Sequence, residues 1–153
     1  MTDNGDRWGS LVTLPLVSGQ IAQCVQGQID GQIAAAQPVN VDSIVKNPDG
    51  VKGQVFVMVT SITQYDAATG ACAFRGRWDT QDHQYSFDFV GDNAYFDAGD
   101  GLTTCPVLNG IDQNDVVRVW AQSEGSYSYA TQIGGNTTVP KFKILKAELI
   151  RKA

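Results

Sequence analysis

Two hydrophobic periods run along this chain, and the change from one to the other falls near Gly53. Beyond it, apolar residues recur at every second position, the period of a strand with one buried face. Residues 54–65 are rich in β-branched residues and predict a long strand. After a hairpin loop ending at Gly70, a second strand spans 71–78. It sets Cys72, Phe74, Gly76 and Trp78 on one face and Ala73, Arg75 and Arg77 on the other. Tyr85, Phe87 and Phe89 alternate with Ser86, Asp88 and Val90 and predict a third strand, with Asp92-Asn93 turning the chain towards Ala94, Tyr95 and Phe96. A fourth strand is predicted over 115–122, followed by a segment from Ser126 to Ile133. Gly134-Gly135-Asn136 is a hairpin turn leading into a last strand over 137–150. The apolar phase of that strand slips between Ile144 and Leu145, which predicts a bulge. Five β segments with one long first strand predict a mainly β fold, a small closed five-stranded barrel.

Ahead of Gly53 the period is helical. Leu14, Val17, Ile21, Val25 and Ile29 recur at spacings of three and four, with Pro15 suited to a first turn and Ser10 or Thr13 to a cap. Gly19, Gly27 and Gly31 each weaken a helix by up to about 1 kcal/mol relative to Ala. So marginal a helix needs a surface to pack on, either the barrel or another copy of the chain. Its glutamine-rich face is too polar for a membrane. The expected organisation is a polar tail over 1–9, an α-helical N-terminal extension over 10–40 and a barrel over 41–153. A short helix follows Val41, with Asp42 as its expected cap and Asn47-Pro48-Asp49-Gly50 as its end. Leu108 to Asn114 is expected to hold one more short helical turn.

Asn47-Pro48-Asp49-Gly50-Val51-Lys52-Gly53 before a long strand resembles the entry of an oligonucleotide/oligosaccharide-binding (OB) fold of the tRNA-anticodon-binding-like family. That family is found in small envelope proteins of Gram-positive bacteria. Asp115-Val-Val-Arg-Val-Trp120, Gly125-Ser-Tyr-Ser-Tyr129 and Gly134-Gly-Asn-Thr-Thr-Val-Pro140 are similar to its closing strands. The resemblance covers residues 42–150. It implies an OB-like barrel and says little about activity. Tyr127 and Tyr129 share one face and are expected to cover a barrel end.

Composition narrows the functions. Hydrophobic residues make up 42% and charged residues 18%, enough apolar material for one core. The net charge of −5 opposes non-specific nucleic-acid binding, which needs surplus Lys and Arg to displace phosphate counterions. A local exception is the C-terminal run Lys141, Lys143, Lys146, Arg151 and Lys152, whose simpler reading is a lysine-protected strand edge. No apolar run is long enough to span a bilayer. Residues 1–8 lack the basic-then-apolar order of a signal peptide. A composition rich in Gln, Asn, Asp, Thr and Gly suits an envelope, extracellular or virion surface better than the cytoplasm.

Little of the chain points to catalysis. His83 is the single histidine, and Asp82 beside it in sequence is poorly placed to orient it; no nucleophile elbow accompanies the pair. Asp92, Asp97 and Asp100 lack the spacing of a calcium loop and read as turn formers. No cofactor and no metal is expected. Cys72 and Cys105 either pair in an oxidising compartment or stay as buried thiols, leaving Cys24 over. Two functions remain. The favoured one is a non-catalytic protein-interaction or assembly module, with residues 10–36 docking to a protein partner or to a second copy. The alternative is a ligand-binding barrel for single-stranded nucleic acid or a glycan, using Arg75 and Arg77 with Trp78, Tyr85 and Phe87 foremost in an aromatic set that also holds Phe89, Tyr95 and Trp120.

Overall fold

The computed structural model describes residues 26–99, 104–130 and 133–153. The chain divides into two compact units, Met1–Ala34 and Ala35–Ala153. The expected boundary at 40/41 moves to 34/35 because Gln37–Pro38 (β1) pairs in parallel with Phe56 and Val57 and so belongs to the barrel unit. In the first unit a helix, α1, occupies residues 26–34, with Ile29 and Ile33 half-buried and four residues apart. Leu14, Val17, Ile21 and Val25 of the predicted stripe lie outside the described residues.

The second unit opens with α2, Val41–Lys46. Its cap is Asn40, whose side chain accepts the Ser43 amide at 3.1 Å. Asp42, the expected cap, already lies inside the helix and pairs instead with Lys46 one turn on. A 3₁₀ turn at Pro48–Val51 follows, with Asn47 accepting the Gly50 amide. The strands are β2 (Val55–Gln64), β3 (Ala73–Asp79), β4 (Gly91–Asp97), β5 (Val116–Ala130) and β6 (Asn136–Arg151).

Pairing runs β2-β3-β4-β6-β5 and closes from β5 back to β2. Every contact in the ring is antiparallel except β4 with β6. This is the strand order of an OB barrel, with β1 added at the edge of β2. The predicted fourth strand and the Ser126 segment are one continuous β5, interrupted where the β5–β6 register shifts between Ser123 and Ser126. The predicted bulge is present: Trp120 faces Lys146 and Ala121 faces Ile144, which leaves Leu145 without a partner in the ladder. The predicted third strand is absent. Tyr85, Phe87 and Phe89 lie in a loop with a 3₁₀ turn at Ser86–Asp88, and the third barrel strand begins only at Gly91.

Rings fill the barrel. Phe96 stacks between Phe74 and Phe142 at 5.2 and 5.3 Å, and the Trp78 ring meets Phe142 edge-on. Val41 and Ile44 of α2 join this core. A Cβ on Gly91 would lie 2.6 Å from the Trp78 ring, so only glycine lets β4 start against it. Cys72 and Cys105 form a disulfide, with Cα atoms 5.6 Å apart. It ties the entry of β3 to the 3₁₀ turn at Pro106–Leu108.

Asp115 is fully buried at the entry to β5. Its carboxylate accepts from Lys152 Nζ at 2.7 Å, from the Asp112 amide at 2.8 Å and from the Ala153 amide at 3.0 Å. Burial pushes the carboxyl up, but these donors outweigh it and hold it below the usual carboxylate range. A depressed folded pKa means the stabilisation is complete above the unfolded value near pH 4 and is lost as pH falls through the lower folded value. Asp115→Asn is therefore expected to cost about 2 kcal/mol at neutral pH, the range of a charge-assisted bond. The gap from the parent should close below about pH 4. Urea unfolding across pH checks this, and a pH-independent gap would refute it. Reducing the disulfide, which spans 33 positions, should lower stability by about 3–4 kcal/mol in the loop-entropy model. Thermal melts with and without reductant measure that loss.

Candidate functional site

The outer face of β3 and β4 carries the richest side-chain chemistry. Strand register places Arg75 beside Tyr95 and Tyr95 beside Lys141, one row across β3, β4 and β6. The far half of β5 brings Tyr127 and Tyr129 to the same row. Tyr95 and Tyr127 stack at 4.7 Å and 16°, and Tyr127 and Tyr129 lie 6.1 Å apart. The Arg75 guanidinium sits 4.2 Å over the Tyr129 ring and donates to Gln64 Oε1. Arg75 Nε is buried with no hydrogen-bond partner among the described residues, so ring stacking holds that side of the group. Lys141 Nζ lies 5.8 Å from the Tyr95 ring and 5.6 Å from the Tyr127 ring.

The position of Tyr127 and Tyr129 is set at the bend before them. Gly125 adopts a φ of +85°, which bends β5, and Asp49 Oδ1 accepts from the Ser126 amide at 2.9 Å and from its hydroxyl at 3.2 Å. Asn47 caps the short turn that aims Asp49. The Asn47-to-Gly50 motif and the Gly125-to-Tyr129 motif, far apart in sequence, therefore meet and fix the hairpin that carries the tyrosines. Beside Tyr129 opens a cleft of about 490 Å³, lined by Val45, Pro48, Asp92, Asn93, Thr137 and Pro140. That volume is in the range of small-ligand sites.

The sequence-predicted ligand residues scatter. Arg75 joins the tyrosine row. Arg77, on the same face of β3, is consumed by the loop that follows. It donates to the Ser86 carbonyl at 3.0 Å, to the Phe89 carbonyl at 2.7 Å and to Asp92 at 3.1 Å. Trp78 belongs to the core with 0% exposure; its N–H donates to the Asp92 carbonyl, and it lies in the wall of the cleft beside Tyr129. Tyr85 and Phe87 are exposed on the loop and stack on each other. Tyr95 belongs to the aromatic set expected to meet a ligand, whereas Tyr127 and Tyr129 were expected only to cover a barrel end. The Gly-x-Tyr-x-Tyr spacing held the signal for those two.

His83 and Asp79 form a second cluster, with Nε2 and Oδ2 2.8 Å apart. Burial raises the Asp79 carboxyl, but its bonds to His83, the Thr80 amide and hydroxyl and the Val90 amide together hold it below the usual range. The Asp79 carboxylate also accepts from the Val90 amide, and Arg151 donates to the His83 carbonyl, so the pair organises the loop. The C-terminal basic run is largely neutralised. Lys141 lies within 4 Å of Asp97 and Glu124, Lys146 pairs with Glu148, Arg151 with Asp82 and Lys152 with Asp112 and Asp115. Among the described residues no group of three or more His, Cys, Asp or Glu is placed to hold a metal ion.

No family model and no curated protein matches the chain. Among solved structures, the mitochondrial single-stranded DNA binding protein Rim1 of S. cerevisiae aligns with a TM-score of 0.38 and 10% identity, over 67% of this chain and 98% of that one.

Proposed function

We propose that this chain is a non-catalytic binding module of OB type, whose ligand lies across the outer face of β3 and β4 with its rings against Tyr95, Tyr127 and Tyr129. The observation that carries this reading is the tyrosine stack itself. Three half-buried rings from β4 and β5 converge outside the barrel, where the core has no need of them. Rings held in place by neighbours bind flat ligands at small entropic cost. OB barrels present this face and the flanking loops to ligands. Arg75 and Lys141 set the outer edges of the stack.

A second reading, assembly through residues 10–36, is supported by the separate N-terminal unit, whose helix α1 carries Ile29 and Ile33 four residues apart. The two readings are compatible, since they use different parts of the chain.

Tyr127→Ala and Tyr129→Ala are each expected to weaken ligand affinity about tenfold, the value of one stacked ring. Fluorescence titration with oligonucleotide and oligosaccharide panels at low salt reads this; parent-like affinity in both variants would sink the proposal. For the second reading, light scattering should find the full chain larger than one copy and a chain starting at Ala35 monomeric. Monomers in both cases would remove it.

A further inference from the structure

Beyond the tyrosine stack, a further pair of rings faces solvent. Tyr85 and Phe87 are 51% and 73% exposed, parallel within 4° and 5.2 Å apart, and Val90 nearby is 69% exposed. The loop presenting them is pinned from several sides. Arg77 holds the Ser86 and Phe89 carbonyls. Asp79 holds the Thr80 and Val90 amides and His83. Arg151 holds Asp82 and the His83 carbonyl. Phe89 is sunk at 1% exposure among Val59, Val116 and Ile150. Two arginines and a buried carboxylate thus immobilise a loop whose own rings point away from the core. Apolar rings fixed in the open form a prepared contact surface, since covering them costs little further ordering.

The same contacts join these rings to the tyrosine stack. Arg77 and Arg75 share a face of β3, and Asp92, the ion-pair partner of Arg77, lines the cleft beside Tyr129. Loop rings, cleft and tyrosines therefore follow one another along one side of the barrel. The charge along this band bears on the ligand. Arg77 pairs with Asp92, Lys141 lies near Asp97 and Glu124, and Arg75 lies over the Tyr129 ring. Lys143, opposite Asp97 in the β4–β6 register, is exposed and is the one cation of this face with neither an ion pair nor a ring contact among the described residues. Phosphate binding draws its affinity from several free cations that displace counterions, and a single one supplies little of it. Flat rings flanking a cleft with amide and hydroxyl groups from Asn93, Thr137 and Thr138 suit a pyranose instead. A sugar's C–H face packs on an aromatic ring while its hydroxyls take the polar groups.

We infer that Tyr85 and Phe87 form a second ring-stacking subsite, and that the ligand of this face is an uncharged glycan chain long enough to reach it from the tyrosine stack. This rests on the binding role proposed for that stack. The test titrates the full chain with uncharged glucose and N-acetylglucosamine oligomers, from disaccharide to hexasaccharide, and with an oligothymidine at low and high salt. The hexasaccharide should bind more tightly than the disaccharide. Phe87→Ser should weaken the hexasaccharide about tenfold and leave the disaccharide unchanged, whereas Tyr129→Ala should weaken both. Phe87 is mostly exposed, so its replacement leaves the fold intact, which a thermal melt verifies. Equal affinity for short and long oligomers, or an unaffected Phe87→Ser variant, would overturn the second subsite while the tyrosine site stands. Salt-sensitive oligothymidine binding without any saccharide binding would overturn the glycan assignment alone. Binding of neither class would remove both the inference and the role it rests on.

Discussion

The closed ring of five strands is the constraint on which the rest depends. Pairing of β2 with both β3 and β5 removes the sheet edges and leaves a narrow interior. That interior is packed by Phe74, Phe96, Phe142 and Trp78, whose one polar atom is satisfied by the Asp92 carbonyl at 2.7 Å. Most of the remaining rings therefore lie on the outer face and in the loops, and these must be held in place by something other than the core.

Two local devices do that work, and both are polar. Asp49 fixes the bend at Gly125–Ser126 and with it the hairpin bearing Tyr127 and Tyr129. Arg77, Asp79 and Arg151 fix the loop bearing Tyr85 and Phe87. Each device satisfies backbone groups that no strand ladder reaches, so it answers the demand that such groups be paired. The outcome is a set of exposed or half-exposed rings with little freedom left to lose on binding.

The electrostatics follow the same economy. An acidic chain with 11 basic residues uses most of those near the barrel to neutralise carboxylates or to lie over rings. Buried Asp115 is the clearest case, holding the C-terminal Lys152 and Ala153 against the start of β5. Around the aromatic face Lys143 is the cation left without an ion pair or ring contact among the described residues.

The existence of four strands, the slip at Leu145, the two motifs that turn out to meet and the β character of the chain were all legible in the sequence. Each is a local property, set by the two-residue period or by turn chemistry. Alternation at Tyr85, Phe87 and Phe89 misled because a period records which side chains are apolar and not where their carbonyls find donors. Arg77, from the preceding strand, supplies those donors and draws the segment into a loop. The same non-local bonds tie Arg77 to the loop, and barrel closure buries Trp78. Tyr95 meets Tyr127 only because β4 and β6 run parallel in one particular register, and Cys72 meets Cys105 only because the barrel brings their segments together. Local patterning determined the elements by itself. Tertiary structure alone decided which side chains were spent on holding those elements and which were left on the outer face, because long-range register and hydrogen bonding leave no periodic trace in the chain.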